Sequence, residues 1–441
     1  MKEKIKFREK LAYAVGDGGC NIIWSLVGSY LTFYYTDSVG ISAAAVGTLM
    51  LLARVLDGIS DLLMGSVIDR TKTRWGKARP WLLFSAPFMM IGLILLFSVP
   101  GNLPENGKLA YAYVTYIFLA VIVYTACNLS YVTLLSLWTD DLQVRTVASS
   151  IRFFICILVM IASSYITNPL VSKIGWTSTS IIFGMVGMIL ILITFFGTRE
   201  RVTEQKQETE QTQERQLVDL LKNLIKNKYF FIVTLIFVML YSMAGMMNGV
   251  GIYYARDILG NMNYFGTLSL FRFVPSLIAS MMMPRLVEKY GKWKILMVGF
   301  LLVAVSFGMN ALAPRNIPVV LFALVIWGVG QTAAFGLVFP FVADVVDYGE
   351  WKTGIRIDGL TYSSVSFGMK VGTGLGSAVV GWFLDMGGYN ATAAVQSESA
   401  LNAIIALYTW MPCVVMVLGL VLLGFANMDK VRKMMDAKGK Q

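Results

Sequence analysis

The sequence predicts an all-α integral membrane protein with twelve transmembrane helices in two six-helix halves. Of the 441 residues, 56% are hydrophobic and only 14% are charged, whereas about a quarter of a soluble domain is charged. The apolar residues form about twelve blocks, each close to the ~20 residues that a helix needs to cross a bilayer. A long polar stretch separates six blocks from the other six. Open-edged sheets are excluded, because lipid offers their backbone groups no hydrogen-bond partner.

The first block is predicted to be a retained span rather than a signal peptide. It contains Asp17 and Asn21, and no small-residue cleavage site follows it. In chain order the blocks lie near 11–36, 41–66, 80–99, 109–138, 147–169, 179–197, 229–254, 266–284, 294–313, 317–343, 358–384 and 401–425.

The charge distribution predicts a multi-pass protein of the cell's inner membrane with both termini in the cytoplasm. With that orientation, 29 of the 37 Lys and Arg residues fall in cytoplasmic segments and four fall in external loops, which is the positive-inside pattern. The net charge of +11 is then explained by topology, and no nucleic-acid partner is expected. The four cysteines fall inside spans without CxxC spacing, so no disulfide framework or zinc site is indicated.

The polar stretch at 199–228 predicts a cytoplasmic linker between a six-helix bundle at 1–198 and a second bundle with a cytoplasmic tail at 229–441. Its first part, RERVTEQKQETEQTQER, is too polar to form a core. Its second part is amphipathic, which favours a helix on the membrane surface. The apolar and basic faces of that helix are Leu217, Leu220, Leu221 and Leu224, with Lys222 and Lys226 opposite.

The two halves carry similar charged clusters after their second spans. Asp69-Arg70 and Gly76-Lys77 follow span two, and the segment EKYGK at 288–292 follows span eight. Chance similarity of basic loops is the alternative to an internal repeat. Two six-span halves around a central site are typical of the major facilitator fold.

Span two contains the best candidate for a cation site. Arg54, Asp57 and Asp61 are spaced by three and four residues, so they share one helix face. Ionisable groups at membrane depth face a partner or a water-filled path by default. The two carboxylates, which have one cation nearby, and the Ser60 hydroxyl offer oxygen ligands to Na⁺. A proton could occupy the same place, because two neighbouring acids raise each other's pKa. The alternative is an ion-pair network that only fixes helix packing.

Polar side chains in other spans suit sugar recognition, which needs carboxylate, amide, hydroxyl and guanidinium groups beside an aromatic ring. For the Asn residues the alternative is hydrogen bonding between helices. The chain contains no histidine, so a proton relay through imidazole is excluded. The candidate substrate residues found in this way are Asp17, Asn21, Asn128, Arg152, Ser366 and Lys370.

The loop after span two contains a candidate gate. Gly65, Asp69, Arg70 and Arg74 form the pattern G-x3-D-R-x3-R. Asp69 is expected to pair with basic residues at neighbouring helix ends in one conformation only. The alternative is a solvated charged loop.

These motifs resemble those of the glycoside–pentoside–hexuronide:cation symporters, the group that includes melibiose permease and the glucuronide carrier. The resemblance covers nearly the whole chain, and the two long cytoplasmic motifs are specific. The segments on which the resemblance rests are FYYTD (33–37), RVLDGISD (54–61), DRTKTRWGKARPWLL (69–83), VADVVDYGEWKTGIRIDGLTYS (342–363) and Lys370.

The resemblance implies cation-coupled sugar uptake by alternating access and assigns roles by position. Asp57 and Asp61 match the cation-binding acids, and Thr125 matches a hydroxyl of that site. Lys370 matches a lysine that engages these carboxylates. The sugar-site matches are Arg152 and Phe335, the latter where melibiose permease has a stacking Trp.

Asn21 and Asn128 depart from melibiose permease, which has Asp at both positions to grip galactoside hydroxyls. This departure favours the glucuronide and xyloside branch and a pocket tolerant of anionic sugars, with Asp17 supplying an acid. Three alternatives are a related carrier for a non-sugar solute such as a lysolipid, a membrane prenyltransferase, and a non-transporting sensor. The expected partners are a sugar, a monovalent cation and the bilayer. No cofactor is expected, and a monomer is the default.

Overall fold

The protein is helical throughout the part that the computed structural model describes. That part comprises residues 5–202, 224, 227–355, 357–393, 395–428, 431 and 434, without the side chains of Leu62 and Leu142. Within these residues the one β-bridge joins Thr73 and Gly76, and no strand forms. The predicted all-α class is confirmed.

The N-terminal half contains six helices. The segment Leu142–Gly197 turns back at Gly175, whose φ of 79° lies in the left-handed region, so that Ile155 and Leu190 both pack on Gly18. We name the two helices of this segment α5 (142–174) and α6 (176–197). A π-helical segment extends α1 to Val39, and another interrupts α4. The other helices are α1 (Phe7–Phe33), α2 (Ala43–Arg70), α3 (Arg79–Leu96) and α4 (Glu105–Trp138).

The C-terminal half repeats this pattern with six further helices. Its first helix ends in a π-helical segment, Tyr254–Ile258, and its last is interrupted at Thr409. The six are α7 (Lys228–Ile258), α8 (Tyr264–Tyr290), α9 (Lys292–Leu312), α10 (Ile317–Thr353), α11 (Asp358–Met386) and α12 (Glu398–Gly424).

Nine helices of the described residues are both long and apolar enough to cross a membrane. The segment that contains α5 and α6 counts once among these nine. The helices α1 and α11 are absent from them, although their 27 and 29 residues correspond to about 40 Å at 1.5 Å per residue. Both contain the charged and polar residues that the sequence assigns to sites. Twelve long helical segments are thus present in the described residues, and hydropathy identifies ten of them, because one of the nine apolar stretches contains both α5 and α6.

The two halves meet along three helix pairs: α2 with α11, α5 with α8, and α1 with α7. The helices α2 and α11 approach most closely where Gly47 faces Gly381. A Cβ atom on Gly47 would lie 2.7 Å from the carbonyl oxygen of Ala378, so only hydrogen fits there. This crossing lies near the start of α2, at the end of the bundle away from the chain termini.

A polar network joins the halves at this same end, which we call the sealed end. Asp37 follows α1, and its Oδ1 accepts hydrogen bonds from Arg256 Nη1 at 2.6 Å and from Tyr389 Oη at 2.8 Å. Arg256 also contacts Tyr389. The hydroxyls of Thr36 and Tyr253 lie 2.7 Å apart. Burial raises the pKa of Tyr389, so its hydroxyl remains a donor to Asp37.

The described part of the predicted linker packs on the N-terminal half. Glu200 accepts hydrogen bonds from the backbone N–H groups of Lys77 and Ala78, both at 2.8 Å, and so caps the start of α3. Arg201 pairs with Glu9 at 2.7 Å. Of the predicted amphipathic face, Leu224 is described and buried. Residues 203–223 lie outside the described residues, so the linker and its surface helix stay predictions.

Candidate functional site

The Lys370 ammonium lies between two carboxylates at the centre of the α2–α11 pair. Its Nζ is 3.1 Å from Asp57 Oδ1 and 2.7 Å from Asp61 Oδ2. It also donates a hydrogen bond of 2.8 Å to the backbone carbonyl of Asp57. One helix turn separates the two acids, so both reach the same cation. A monovalent cation of the protein therefore occupies the predicted ion position.

Two hydroxyls complete the oxygen set around Asp57. Thr125 Oγ1 of α4 donates to Asp57 Oδ1 at 2.8 Å, and Ser60 Oγ lies 3.2 Å from Thr125 Oγ1. Arg54 Nη1 is 3.3 Å from the other carboxylate oxygen. Asp57 is 3% exposed, whereas the Asp61 side chain is 32% exposed. The structure thus brings the four predicted cation-site residues together, with Asp61 on the accessible side.

A second charged pair lies between α1 and α5. Arg152 Nε is 3.8 Å from Asp17 Oδ2. Asn21 donates a hydrogen bond of 2.8 Å to the backbone carbonyl of Asp17, so part of its amide is used within α1. Asn128 of α4 is half-buried and has no hydrogen-bond partner among the described residues. Its amide is free to bind a ligand.

Phe335 and Ser366 belong to the C-terminal half and do not contact the Asp17–Arg152 pair. The Phe335 ring packs edge-on against Tyr241 of α7, with ring centroids 5.4 Å apart. Ser366 is exposed one turn before Lys370 on α11. The predicted substrate residues therefore line both halves, without forming one closed cluster in this conformation.

The residues of the candidate gate form no latch in this conformation, among the residues that the structure describes. Asp69, Arg70 and Arg74 are exposed at the end of α2. Asp69 and Arg70 have no ion-pair partner in the part of the chain that the structure describes. Arg74 stacks on the Trp75 ring at 4.6 Å. The latch therefore stays a prediction.

The profile of the MFS/sugar transport protein family matches residues 12–430. The chain belongs to this family. The match extends from α1 to the end of α12, so it includes both charged clusters. The resemblance to the glycoside–pentoside–hexuronide:cation symporters is confirmed. Members of this family are transporters, and the prenyltransferase alternative is excluded.

Two relatives match this MFS sugar-transport chain over almost its whole length. An isoprimeverose transporter of Lactiplantibacillus pentosus is 36% identical and covers 99% of this chain and 92% of its own. The inner membrane symporter YicJ of Escherichia coli K12 is 32% identical over 93% of this chain and 90% of its own.

A solved structure shares the fold at low sequence identity. The nucleoside transporter NupG, as its D323A mutant, superposes with a TM-score of 0.67 at 14% identity. The match covers 94% of this chain and 98% of that one. At this identity the likeness concerns the fold alone, and the predicted major facilitator fold is confirmed.

One aromatic residue beside the cation cluster was missed by the sequence analysis. The Arg54 guanidinium lies 4.2 Å from the centroid of the Trp24 ring, which packs on Tyr124 with centroids 4.5 Å apart. A cation over an indole ring is attracted by the ring's quadrupole. Trp24 therefore orients Arg54 toward Asp57. Its position three residues after Asn21 on α1 was the available signal.

Proposed function

We propose that this protein is a symporter that carries a glycoside, pentoside or hexuronide across the membrane together with a monovalent cation. The observation that carries the proposal is the Lys370 ammonium held between Asp57 and Asp61. The transporter and symporter names of the two relatives support the same function.

Ion binding requires that the ion replace the Lys370 ammonium. Na⁺ and H⁺ both suit two carboxylates with the hydroxyls of Ser60 and Thr125, so the coupling ion is one of these two. Once displaced, the ammonium turns toward Ser366 and the substrate. A ligand shifts a conformational equilibrium only through different affinities for the two states. The ion must therefore improve sugar binding, and the sugar must improve ion binding to the same degree.

The proposed sugar site combines Asp17 and Arg152 with the amides of Asn21 and Asn128, and Phe335 supplies an aromatic face. A carboxylate–guanidinium pair and two amides offer donors and acceptors to sugar hydroxyls. Because neutral amides stand at the positions of Asn21 and Asn128, a uronide or xyloside is the expected substrate. A neutral galactoside as the best substrate, without uronide or xyloside uptake, would contradict this.

The sealed end is proposed to be external, with both termini in the cytoplasm of an inner-membrane protein. The excess of Lys and Arg on the side of the termini supports this orientation. The described contacts between α2 and α11 run from Ala43, which meets Gly381, to Asp61, which pairs with Lys370. The structure is then the state open toward the cytoplasm. A monomer suffices, because both halves of the site belong to one chain.

Counterflow and gradient-driven uptake of a labelled glycoside panel in proteoliposomes test this function. Asp61→Asn is expected to retain sugar exchange and to lose accumulation driven by a Na⁺ or H⁺ gradient, because one carboxylate of the ion site is neutralised. Glu105→Gln, an exposed acid at the start of α4, is the matched control and should accumulate sugar normally. Equal, gradient-independent uptake by wild type and Asp61→Asn would contradict the mechanism.

A further inference from the structure

Arg272 of α8 is a positively charged residue with no carboxylate within 4 Å in the described part of the chain. The other three cations in the middle of the spans have carboxylate partners within 4 Å: Arg54 with Asp57, Arg152 with Asp17, and Lys370 with both acids of α2. Among the described residues Arg272 has none. It lies eight residues, or about 12 Å, from the start of α8 at Tyr264. At that depth in a membrane span, an unpaired charge indicates a functional site by default.

The guanidinium of Arg272 is held by one hydrogen bond and by aromatic rings, since its central carbon also lies 4.8 Å from the centroid of the Phe273 ring. Its Nε donates to Gln331 Oε1 at 2.9 Å, and its central carbon lies 3.9 Å from the centroid of the Trp327 ring. A guanidinium has five N–H donors. Both Nη atoms lack an acceptor among the described residues. Four donors are therefore fixed in direction and available to a ligand.

Arg272 lines a cavity of about 40 Å³ between the two halves. Three other polar residues of its wall, Ser29, Asn248 and Ser269, have no hydrogen-bond partner in the part of the chain that the structure describes. A space of this size holds a few water molecules, or a group such as a carboxylate. A whole sugar ring does not fit.

The cavity continues the proposed sugar site toward the sealed end. Ser25, on its wall, lies one turn beyond Asn21 on α1, a rise of about 6 Å. Met160, also on its wall, lies two turns beyond Arg152 on α5. A sugar bound at Asn21 and Arg152 can therefore extend one substituent to Arg272.

We propose that Arg272, with Asn248 and Ser269, is an anion subsite that binds a monoanionic group, foremost the carboxylate of an anionic sugar. The assignment rests on the proposed sugar transport, because the carboxylate arrives on the substrate. The same chemistry would accept a free inorganic anion such as chloride. If Arg272 only joined α8 to α10 through Gln331 and Trp327, its removal would lower the stability of the protein. The preference for an anionic over a neutral glycoside would then stay unchanged.

Binding to the purified full-length protein separates these cases. Phenyl β-D-glucoside and phenyl β-D-glucuronide differ at C6 alone, and their affinities are measured by titration calorimetry in sodium sulfate and in sodium chloride at equal Na⁺ concentration. Arg272→Gln is expected to weaken glucuronide binding about tenfold or more, as for loss of a charge-assisted hydrogen bond, and glucoside binding by less than about threefold. Arg272→Lys should retain part of the preference.

Gln331→Glu is the second variant, since it places an acid beside an intact Arg272. It is expected to reduce the glucuronide preference in the same direction, whereas a merely structural Arg272 would leave that preference unchanged. Weaker glucuronide binding in chloride, lost in Arg272→Gln, supports the subsite with a free anion as a competing ligand. The subsite would be overturned if Arg272→Gln weakened the binding of both glycosides equally. It would also be overturned if the wild type bound both glycosides with equal affinity, or bound the glucuronide equally well in both salts. Gradient-driven glucoside uptake that persists in those cases would leave the symport proposal intact.

Discussion

Asp57 is a deeply buried charged residue with several partners. It is almost fully buried, and it receives a hydrogen bond from Thr125 as well as contacts from Arg54 and Lys370. A buried carboxylate requires such partners, because burial without them is costly. The Thr125 hydroxyl is the uncharged partner among them, so its removal tests the site without changing its charge.

Thr125→Val is expected to lower the apparent affinity for the coupling ion about tenfold, the typical effect of losing a hydrogen bond to a charged group. Thr125→Ser should restore the affinity, because it restores the hydroxyl. The measurement is the Na⁺ dependence of glycoside uptake, with its pH dependence if the ion is H⁺. Thr133→Val on the same helix is the control, since among the described residues the Thr133 hydroxyl donates only to the backbone carbonyl of Leu129 in α4. Equal effects of both valines would show that Thr125 has no special role.

Residues that share one helix could be predicted to cluster from spacing alone. Arg54, Asp57 and Asp61 are an example, since the 3.6-residue period fixes their common face. The placement of Lys370 and Thr125 beside them was implied only by the family resemblance. The contacts of Trp24 with Arg54 and of Gln331 with Arg272 were not predicted, because they depend on how different helices pack.

The helix pair α2–α11 is the contact on which movement of the halves depends. Its backbones cross closely at Gly47 and Gly381 at the sealed end. Toward the termini, the described contacts end near Asp61, which pairs with Lys370, and Gly58, which faces Phe367. A side chain at the crossing must therefore push the halves apart at the sealed end.

Gly47→Leu is expected to favour the conformation that is open at the sealed end. A shift of about 1 kcal/mol changes the populations about fivefold. The measurement is the labelling rate of Ser25→Cys by a membrane-impermeant maleimide added at the sealed end, in a background without the four native cysteines. The rate should rise at least about fivefold. Gly336→Leu, where a Cβ meets no atom within 4 Å, should leave the rate unchanged, and a Gly47→Leu rate like that of the control would refute the crossing's role.

Helix positions were predictable because the apolar blocks have the length of a bilayer crossing. The block at 317–343, however, covers only part of α10, which continues to Thr353 through charged residues. The change from apolar to charged residues indicates where the helix leaves the lipid. The helix itself continues beyond that point, because its backbone hydrogen bonds do not depend on the lipid. The break at Gly175 falls in the gap between the predicted blocks at 147–169 and 179–197. The π-helical segments were not predicted, since local sequence signals for them are weak.

At the scale of the whole molecule, the Asp37–Arg256 pair holds the sealed end closed. Its partners come from different halves, and both side chains are mostly buried, with 25% of Arg256 and 8% of Asp37 exposed. Removing one partner of a fully buried pair costs about 3–5 kcal/mol. For this partly exposed pair we expect about 1–2 kcal/mol, a population change of roughly 5–30-fold.

Arg256→Gln should therefore populate a state in which the halves separate at the sealed end. Spin labels at positions 173 and 315, one exposed site on each half, report their separation by pulsed electron resonance. A longer-distance population is expected to grow in the variant. Lys292→Gln removes an equally short pair, 2.7 Å to Asp344 within the C-terminal half, and should leave the distances unchanged. Identical distributions in wild type and Arg256→Gln would rule out a closing role for this pair.

The two-half architecture could be predicted from the position of the polar stretch and the repeated loop motifs. The conformation could not, because it depends on contacts between halves that are far apart in sequence. Asp37 and Arg256 illustrate this, since 219 residues separate them. Each alone resembles an ordinary charge at a helix end.

The tethered ammonium of Lys370 has an electrical consequence for the transport cycle. With Arg54 it balances Asp57 and Asp61, so the empty cluster carries no net charge through the membrane. Under the proposed function, this cluster therefore adds no voltage dependence to the return of the unloaded carrier. The loaded carrier bears the charge of the added ion, for which a potential of 100 mV supplies about 2.3 kcal/mol. Membrane voltage then acts on the step that moves the sugar, and transport of a neutral glycoside generates an inward current.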